Sequence, residues 1–236
     1  KALAESKVLE KKLKPTKEQK AQSKADYKRF LDESNRKQLV YYSEKSGFYK
    51  YFEDQIAYIL EHSDITIHYL TSDPRDKIFE RGDPRIVPYY VDDNRLIPLF
   101  MMMDCDVMVC TTPNIETYHL KRSMVRKDIE YIYTPHDPLS LHMGAAKGAF
   151  DHFDTLLCVG PHQVTEAREL EKVYGTRVKT LVPCGYSLID NLIASYEGME
   201  HKENAVKKIL IGPSWQEGNI LEGAIHPLLK SLLDKG

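Results

Sequence analysis

Ile129-Glu130-Tyr131-Ile132-Tyr133-Thr134-Pro135-His136-Asp137-Pro138-Leu139-Ser140-Leu141-His142 is the stretch on which the fold turns. Its first half is β-branched and aromatic, the composition of a short strand. Pro135 and Pro138 end that strand, and the apolar pattern that follows predicts a helix. His136 therefore falls at the carboxyl end of a strand, where open α/β sheets bind their ligands. Imidazole titrates near neutral pH, which suits proton abstraction, so His136 reads as a general base. Asp137 beside it can orient the ring or raise its basicity. Neighbouring strand side chains point to opposite faces, so this partnership needs a turn, and the flanking prolines supply one. The competing reading is a histidine that only bonds a loop carbonyl.

Working outward, short apolar runs alternate with amphipathic stretches on both sides, the signature of βαβ units and a parallel sheet. Upstream the strands are Leu39-Val40-Tyr41-Tyr42, Ile65-Thr66-Ile67-His68-Tyr69-Leu70, Ile86-Val87-Pro88-Tyr89-Tyr90-Val91 and Val107-Met108-Val109-Cys110. A helix is expected over 95–103 and another through Tyr118 and Leu120. Downstream come Thr155-Leu156-Leu157-Cys158-Val159 and Val178-Lys179-Thr180-Leu181-Val182. Between these two, Pro161 suits the first position of a helix apolar at Val164, Ala167, Leu170 and Tyr174. The expected fold class is α/β: a Rossmann-like parallel sheet with helices on both faces, preceded by a basic helical arm. Residues 1–37 form the arm and 38–203 the domain. Residues 204–236 form a linker and the start of a second α/β unit, opening on Ile209-Leu210-Ile211-Gly212.

The strand-end loops then define one rim. It holds Ser46 and Gly47, Thr111 and Thr112, His136 and Asp137, Gly160, and Gly185 with Ser187. Ser187 followed by Asp190 has the form of a capping box. Gly160-Pro161 opens a helix, and helix N-termini attract phosphate. Ser140 and His142 continue from His136 into the next helix and read as contacts to an anionic substrate, with a plain surface histidine as the alternative for His142. Lys147, Asp151 and Asp154 share a face of that helix.

Composition narrows the function classes. Of 236 residues, 42% are hydrophobic and 29% charged, which is ordinary for a globular protein. A net charge of −2 argues against nucleic acid as partner. The charge is uneven, however: residues 1–37 carry 12 Lys/Arg against 6 Asp/Glu, and residues 38–236 carry 21 against 29. A basic arm on an acidic body points to an anionic surface such as lipid headgroups, or to a charged connector. The arm reads as a solvated helix broken near Pro15. Cys105, Cys110, Cys158 and Cys184 lie in or beside apolar runs without a C-x-x-C pair and read as buried thiols in a reducing compartment. No run of 18 apolar residues spans a bilayer, and the expected location is cytoplasmic, peripheral at the inner face of the cell membrane. The start at Lys1 is that expected of a fragment. No dinucleotide fingerprint, P-loop, zincin or nucleophile-elbow motif is present. No histidine spacing suggests a metal site, and a divalent metal is left open.

Three segments, taken in order, resemble the CDP-glycerol glycerophosphotransferase family, the polymerases and primases of teichoic-acid-like chains. The family's W-H-G-x-P motif is similar to Thr134-Pro135-His136-Asp137-Pro138-Leu139, which keeps the His and the later Pro but has neither Trp nor Gly. Its G-x-P-R-N-D motif resembles Gly185-Tyr186-Ser187-Leu188-Ile189-Asp190, where the Gly and Asp remain. Its A-P-T-[WF]-R strand end is similar to Gly212-Pro213-Ser214-Trp215-Gln216. The resemblance covers residues 38–221 and implies the N-terminal, acceptor domain of a GT-B architecture, followed by the opening of a donor domain that includes Ser214. It implies that His136 deprotonates a hydroxyl of a lipid-linked or polyol-phosphate acceptor, which attacks CDP-glycerol and releases CMP. Two other readings stand beside it: a GT-B glycosyltransferase using a nucleotide sugar, and a non-catalytic module docking a surface-polymer assembly on the membrane.

Overall fold

Seven short apolar runs become seven strands: β1 (Lys37–Ser43), β2 (Ile67–Thr71), β3 (Ile86–Tyr90), β4 (Cys105–Cys110), β5 (Glu130–Tyr133), β6 (Thr155–Cys158) and β7 (Thr180–Pro183). The computed structural model describes residues 15–32, 37–199, 208–213 and 218–234. The strands form one sheet in the order β3-β2-β1-β4-β5-β6-β7, and every neighbouring pair is parallel. The fold is thus α/β and Rossmann-like. Parallel neighbours need crossover connections, and the chain makes them in one direction from β1 to β3, then in the other from β4 to β7. The order reverses between β1 and β4, which opens a crevice at their carboxyl ends.

Around the sheet run α1 (Lys17–Phe30), α2 (Glu53–His62), α3 (Asp93–Met101), α4 (Leu141–Gly144), α5 (Pro161–Tyr174) and α6 (Ser187–Glu197). Strand alternation divides the core in two. Val40, Tyr42, Met108, Cys110, Tyr131, Tyr133 and Leu156 pack with Leu96, Leu99 and Phe100 of α3 and Ala167 of α5. On the opposite face Leu39, Tyr41, Ile67, Tyr69 and Val109 pack with Phe52 and Ile56. Residues Lys1–Ala194 form one compact unit and Ser195–Gly236 a second, which contains α7 (Ile220–Gly223) and α8 (Ile225–Asp234).

The described part of the basic arm guards the sheet edge. Thr16 and Gln19 form a capping box at the start of α1, and Ser23, Asp26 and Phe30 are buried on its inner face. The outer N–H groups of edge strand β3 and the residues after it would otherwise lack partners. Tyr90 N instead donates to Asp26 Oδ2 (3.0 Å), and Asp92 N to Ser23 Oγ (2.9 Å). Pro88, which has no N–H, sits in this edge strand as expected. Arg29 lies 4.1 Å above the Tyr89 ring. The α1 helix is therefore docked, not a wholly solvated element.

Several local expectations are corrected. No helix passes through Tyr118 and Leu120: Asn114 and Glu116 both take positive φ (67°), which breaks a helix. Side-chain bonds hold this segment instead, among them Lys121 Nζ to Glu116 O and Arg122 to the carbonyls of His152 and Ile129. The helix after His136 lasts four residues, so Lys147, Asp151 and Asp154 share no helical face. Ser187 is already the first residue of α6, one step inside the N-cap position of a capping box. Residues Ile209 to Gly212 are not a strand. Cys105, Cys110 and Cys158 are buried, but Cys184 is exposed.

Candidate active site

The crevice at the switch point is built by the loops after β1, β4 and β5. Alternation continues past the strand ends, so Thr111 and Thr134 follow Val109 and Ile132 on one face. They are neighbours, because Thr134 N donates to Cys110 O at 2.9 Å. Both residues are buried, at 0% and 4% exposure, and neither hydroxyl oxygen has a hydrogen-bond partner among the described residues. Buried polar atoms are nearly always paired, so two adjacent unpaired hydroxyls at a sheet end need a cause. Thr112 turns away from them and donates to Glu44 Oε1 at 2.7 Å, tying the end of β4 to the loop after β1.

His136 extends the same row. Its Nε2 lies 3.5 Å from Asp137 Oδ2, an electrostatic contact longer than a strong hydrogen bond. Its Nδ1 is buried and, among the described residues, has no partner, like the two threonine hydroxyls. The ring is held by Phe48 and Tyr51, with centroids 5.9 and 6.0 Å away. Each of those rings carries an ammonium: Lys45 Nζ lies 5.7 Å from the Phe48 centroid and Lys50 Nζ 5.0 Å from that of Tyr51. The His136 carbonyl accepts a 2.8 Å bond from the Tyr186 hydroxyl. Burial, with Tyr51 and Asp137 nearby, pushes the Tyr186 phenol up to about 12, so it stays protonated and keeps donating. Asp137 Oδ1 accepts from Leu139 N (3.2 Å), the turn that lets adjacent side chains meet.

The remaining candidates divide. Ser46 and Gly47 lie in the β1 loop, Gly47 at φ +91° where a side chain is strained, and Ser46 N reaches Asp73 Oδ2 at 3.4 Å. Gly185 (φ +74°) and Ser187 line a cavity of about 540 Å³ that also takes in Thr134, Pro135, Tyr51 and Tyr186. Asp190 is exposed on α6 and is not among the residues lining that cavity. Ser140 is committed to structure: it caps α4 by accepting from Met143 N and donates to Glu166 Oε2 at 2.9 Å. Burial raises the Glu166 carboxyl, yet bonds from His142 N, Ser140 and Leu141 N hold it below the usual range. His142 lines a separate cleft of about 140 Å³ with Lys147, Tyr174 and Lys179. Gly160 precedes α5, whose first turn is already used: His162 Nε2 approaches Pro138 O (3.2 Å) and Gln163 Nε2 donates to Leu139 O (2.8 Å). That turn steadies the His136 loop. Ser214 lies outside the described residues.

Thr134, Glu44, Phe48, Lys45, Lys50 and Tyr51 were not among the sequence candidates. Strand alternation through Ile132 could have singled out Thr134, but nothing local brings the β1 loop to His136. Among the described residues no group of three His, Cys, Asp or Glu side chains could hold a metal ion, and no helix is long and apolar enough to cross a membrane. Comparison with protein-family models, with curated proteins and with solved structures gives no match. The class therefore rests on fold and geometry: a Rossmann-like α/β protein with His136 at the end of β5, one strand from the point where the order reverses.

Proposed function

We propose that this chain carries the acceptor-binding half of a GT-B-type transferase that moves glycerol phosphate from CDP-glycerol to a hydroxyl. The observation that carries the reading is His136 at the carboxyl end of a central strand, its ring partly exposed and its Nε2 3.5 Å from Asp137 Oδ2. In this reading His136 removes the proton of an acceptor hydroxyl. The oxygen attacks the β-phosphorus of CDP-glycerol, the bond to the α-phosphate breaks, and CMP leaves. Lys45 and Lys50 supply positive charge beside the histidine for a phosphate-bearing acceptor, of polyol-phosphate or lipid-linked type. Charge stabilisation is the main service a protein gives phosphoryl transfer, so the donor is expected to meet further groups outside this domain.

The proposed setting is the cytoplasmic face of a membrane. On α1, Lys17, Lys20, Lys24 and Lys28 are exposed and fall within roughly 80° of arc, an array suited to anionic headgroups. The test supplies CDP-glycerol and a polyol-phosphate acceptor and measures CMP. Release that His136→Ala abolishes supports the reading. Release unaffected by that substitution removes the base, and turnover with a nucleotide sugar in place of CDP-glycerol transfers the site to glycosyl chemistry.

A further inference from the structure

The cavity of about 540 Å³ beside His136 has a character that glycerophosphate transfer does not use. Its floor is the sheet face of Val107, Val109, Ile132, Leu157 and Val159, and its sides come from α2 and the start of α6. Of these, Leu157 and Val159 belong to neither core cluster, so among the described residues no core side chain covers their apolar surface. The volume falls in the range of small-molecule sites. Among the lining residues the only charged side chain is Asp54, whose two carboxylate oxygens accept from Asn191 Nδ2 at 3.2 and 3.1 Å. Among the described residues no Lys, Arg or His lines it. An anion buried here would meet aliphatic carbon and a carboxylate, at a large desolvation cost.

At one end of this apolar space stands Thr134, 4% exposed, with a hydroxyl that has no partner among the described residues. Thr111 beside it is equally unpaired. The Thr134 hydroxyl oxygen is itself shielded from solvent, so a ligand carbonyl or hydroxyl would meet it through rotation of the side chain about χ1 and supply the partner it lacks. We infer that this cavity binds an uncharged, largely hydrocarbon molecule with one carbonyl or hydroxyl group, which pairs with Thr134. The inference stands apart from glycerophosphate transfer, and its test reads binding and not turnover, so either can fail alone.

The probe is prodan, an uncharged naphthalene with a single carbonyl, whose emission shifts to the blue in apolar surroundings. With the full chain we expect saturable binding in the micromolar range, displaced by octanol and not by octanoate. Thr134→Val, of nearly the same shape, should weaken binding roughly three- to tenfold while leaving the free protein as stable or more so. Leu157→Trp should fill the cavity and abolish binding. Cys184, which lines the cavity, is the exposed thiol among the four cysteines, so bound prodan or octanol should slow its alkylation. This readout and Thr134→Val keep the test decisive if Leu157→Trp does not fold. Absence of saturable binding, as for a cavity holding water only, overturns the inference. So do displacement by octanoate as good as by octanol, unchanged affinity in Thr134→Val, or Cys184 alkylation that ligand leaves unaltered.

Discussion

His136 Nε2 and Asp137 Oδ2 lie 3.5 Å apart although the two residues are adjacent in the chain. Such an approach requires the turn that Asp137 itself closes with Leu139 N. It gives the imidazole a defined carboxylate side at Nε2 and a buried side at Nδ1. His136→Ala should lower CMP release by roughly a hundred- to ten-thousandfold, the usual contribution of a positioned base. Asp137→Asn keeps an oxygen for Leu139 N and should cost roughly tenfold or less. Steady-state kinetics on both variants, with circular dichroism as a folding check, tests the assignment; equal losses would point to a structural role for the pair.

Tyr186 reaches across 50 residues to hold the His136 carbonyl at 2.8 Å. Tyr186→Phe deletes this one bond and retains the ring, so about 1 kcal/mol of stability should be lost. If the bond positions the imidazole, kcat should also fall while KM stays constant. A drop in stability with kinetics unchanged would reduce Tyr186 to a loop anchor.

The docking of α1 rests on two side-chain acceptors. Ser23→Ala and Asp26→Ala each leave a buried edge N–H, at Asp92 and Tyr90, without its partner. Each should destabilise the domain by about 1–3 kcal/mol in urea titration. Asp26→Ala should be the costlier, because Asp26 also pairs with Arg29 at 2.8 Å. A change below a few tenths of a kcal/mol in both would mean that the helix is not a working part of the fold.

His68 provides a pH-dependent term. It is 1% exposed, its Nδ1 lies 3.0 Å from the Tyr89 hydroxyl, and burial, aided by Lys37 and Arg29, lowers its pKa from 6.5 to about 4. The unfolded chain therefore takes up the proton first as pH falls, so protonation favours unfolding. The stabilisation is complete above pH 6.5 and is lost progressively toward about 4, where the folded form also protonates. The loss attributable to this residue is on the order of 2–3 kcal/mol. His68→Phe should flatten the dependence of unfolding free energy on pH across that window; an unchanged slope would rule the term out.

The alternation of apolar runs was enough to locate all seven strands, because strands inside a parallel sheet are covered on both faces and that demand is written into consecutive residues; β7, at the edge, has the apolar run but stays largely exposed. The Pro135-His136-Asp137-Pro138 turn was equally legible, since proline acts on its own backbone. The site was legible only in part. Ser140 and Gly160 carry strand-end positions like those of true rim residues, yet one is spent on capping α4 and the other precedes a turn that grips the His136 loop. Nothing within a few residues of either records that commitment.

By itself the sequence determined the α/β class, the strand ends and the place of His136 on one of them, through periodicity and backbone chemistry that act within about ten residues. Only the tertiary structure decided the strand order, and with it that Phe48, Tyr51 and Tyr186 converge on His136 from 88, 85 and 50 positions away. It also decided that Thr111 and Thr134 stand side by side with hydroxyls that have no partner among the described residues. Local pattern specifies which face a residue occupies, whereas its neighbours on that face are set by crossovers that close the sheet around one core.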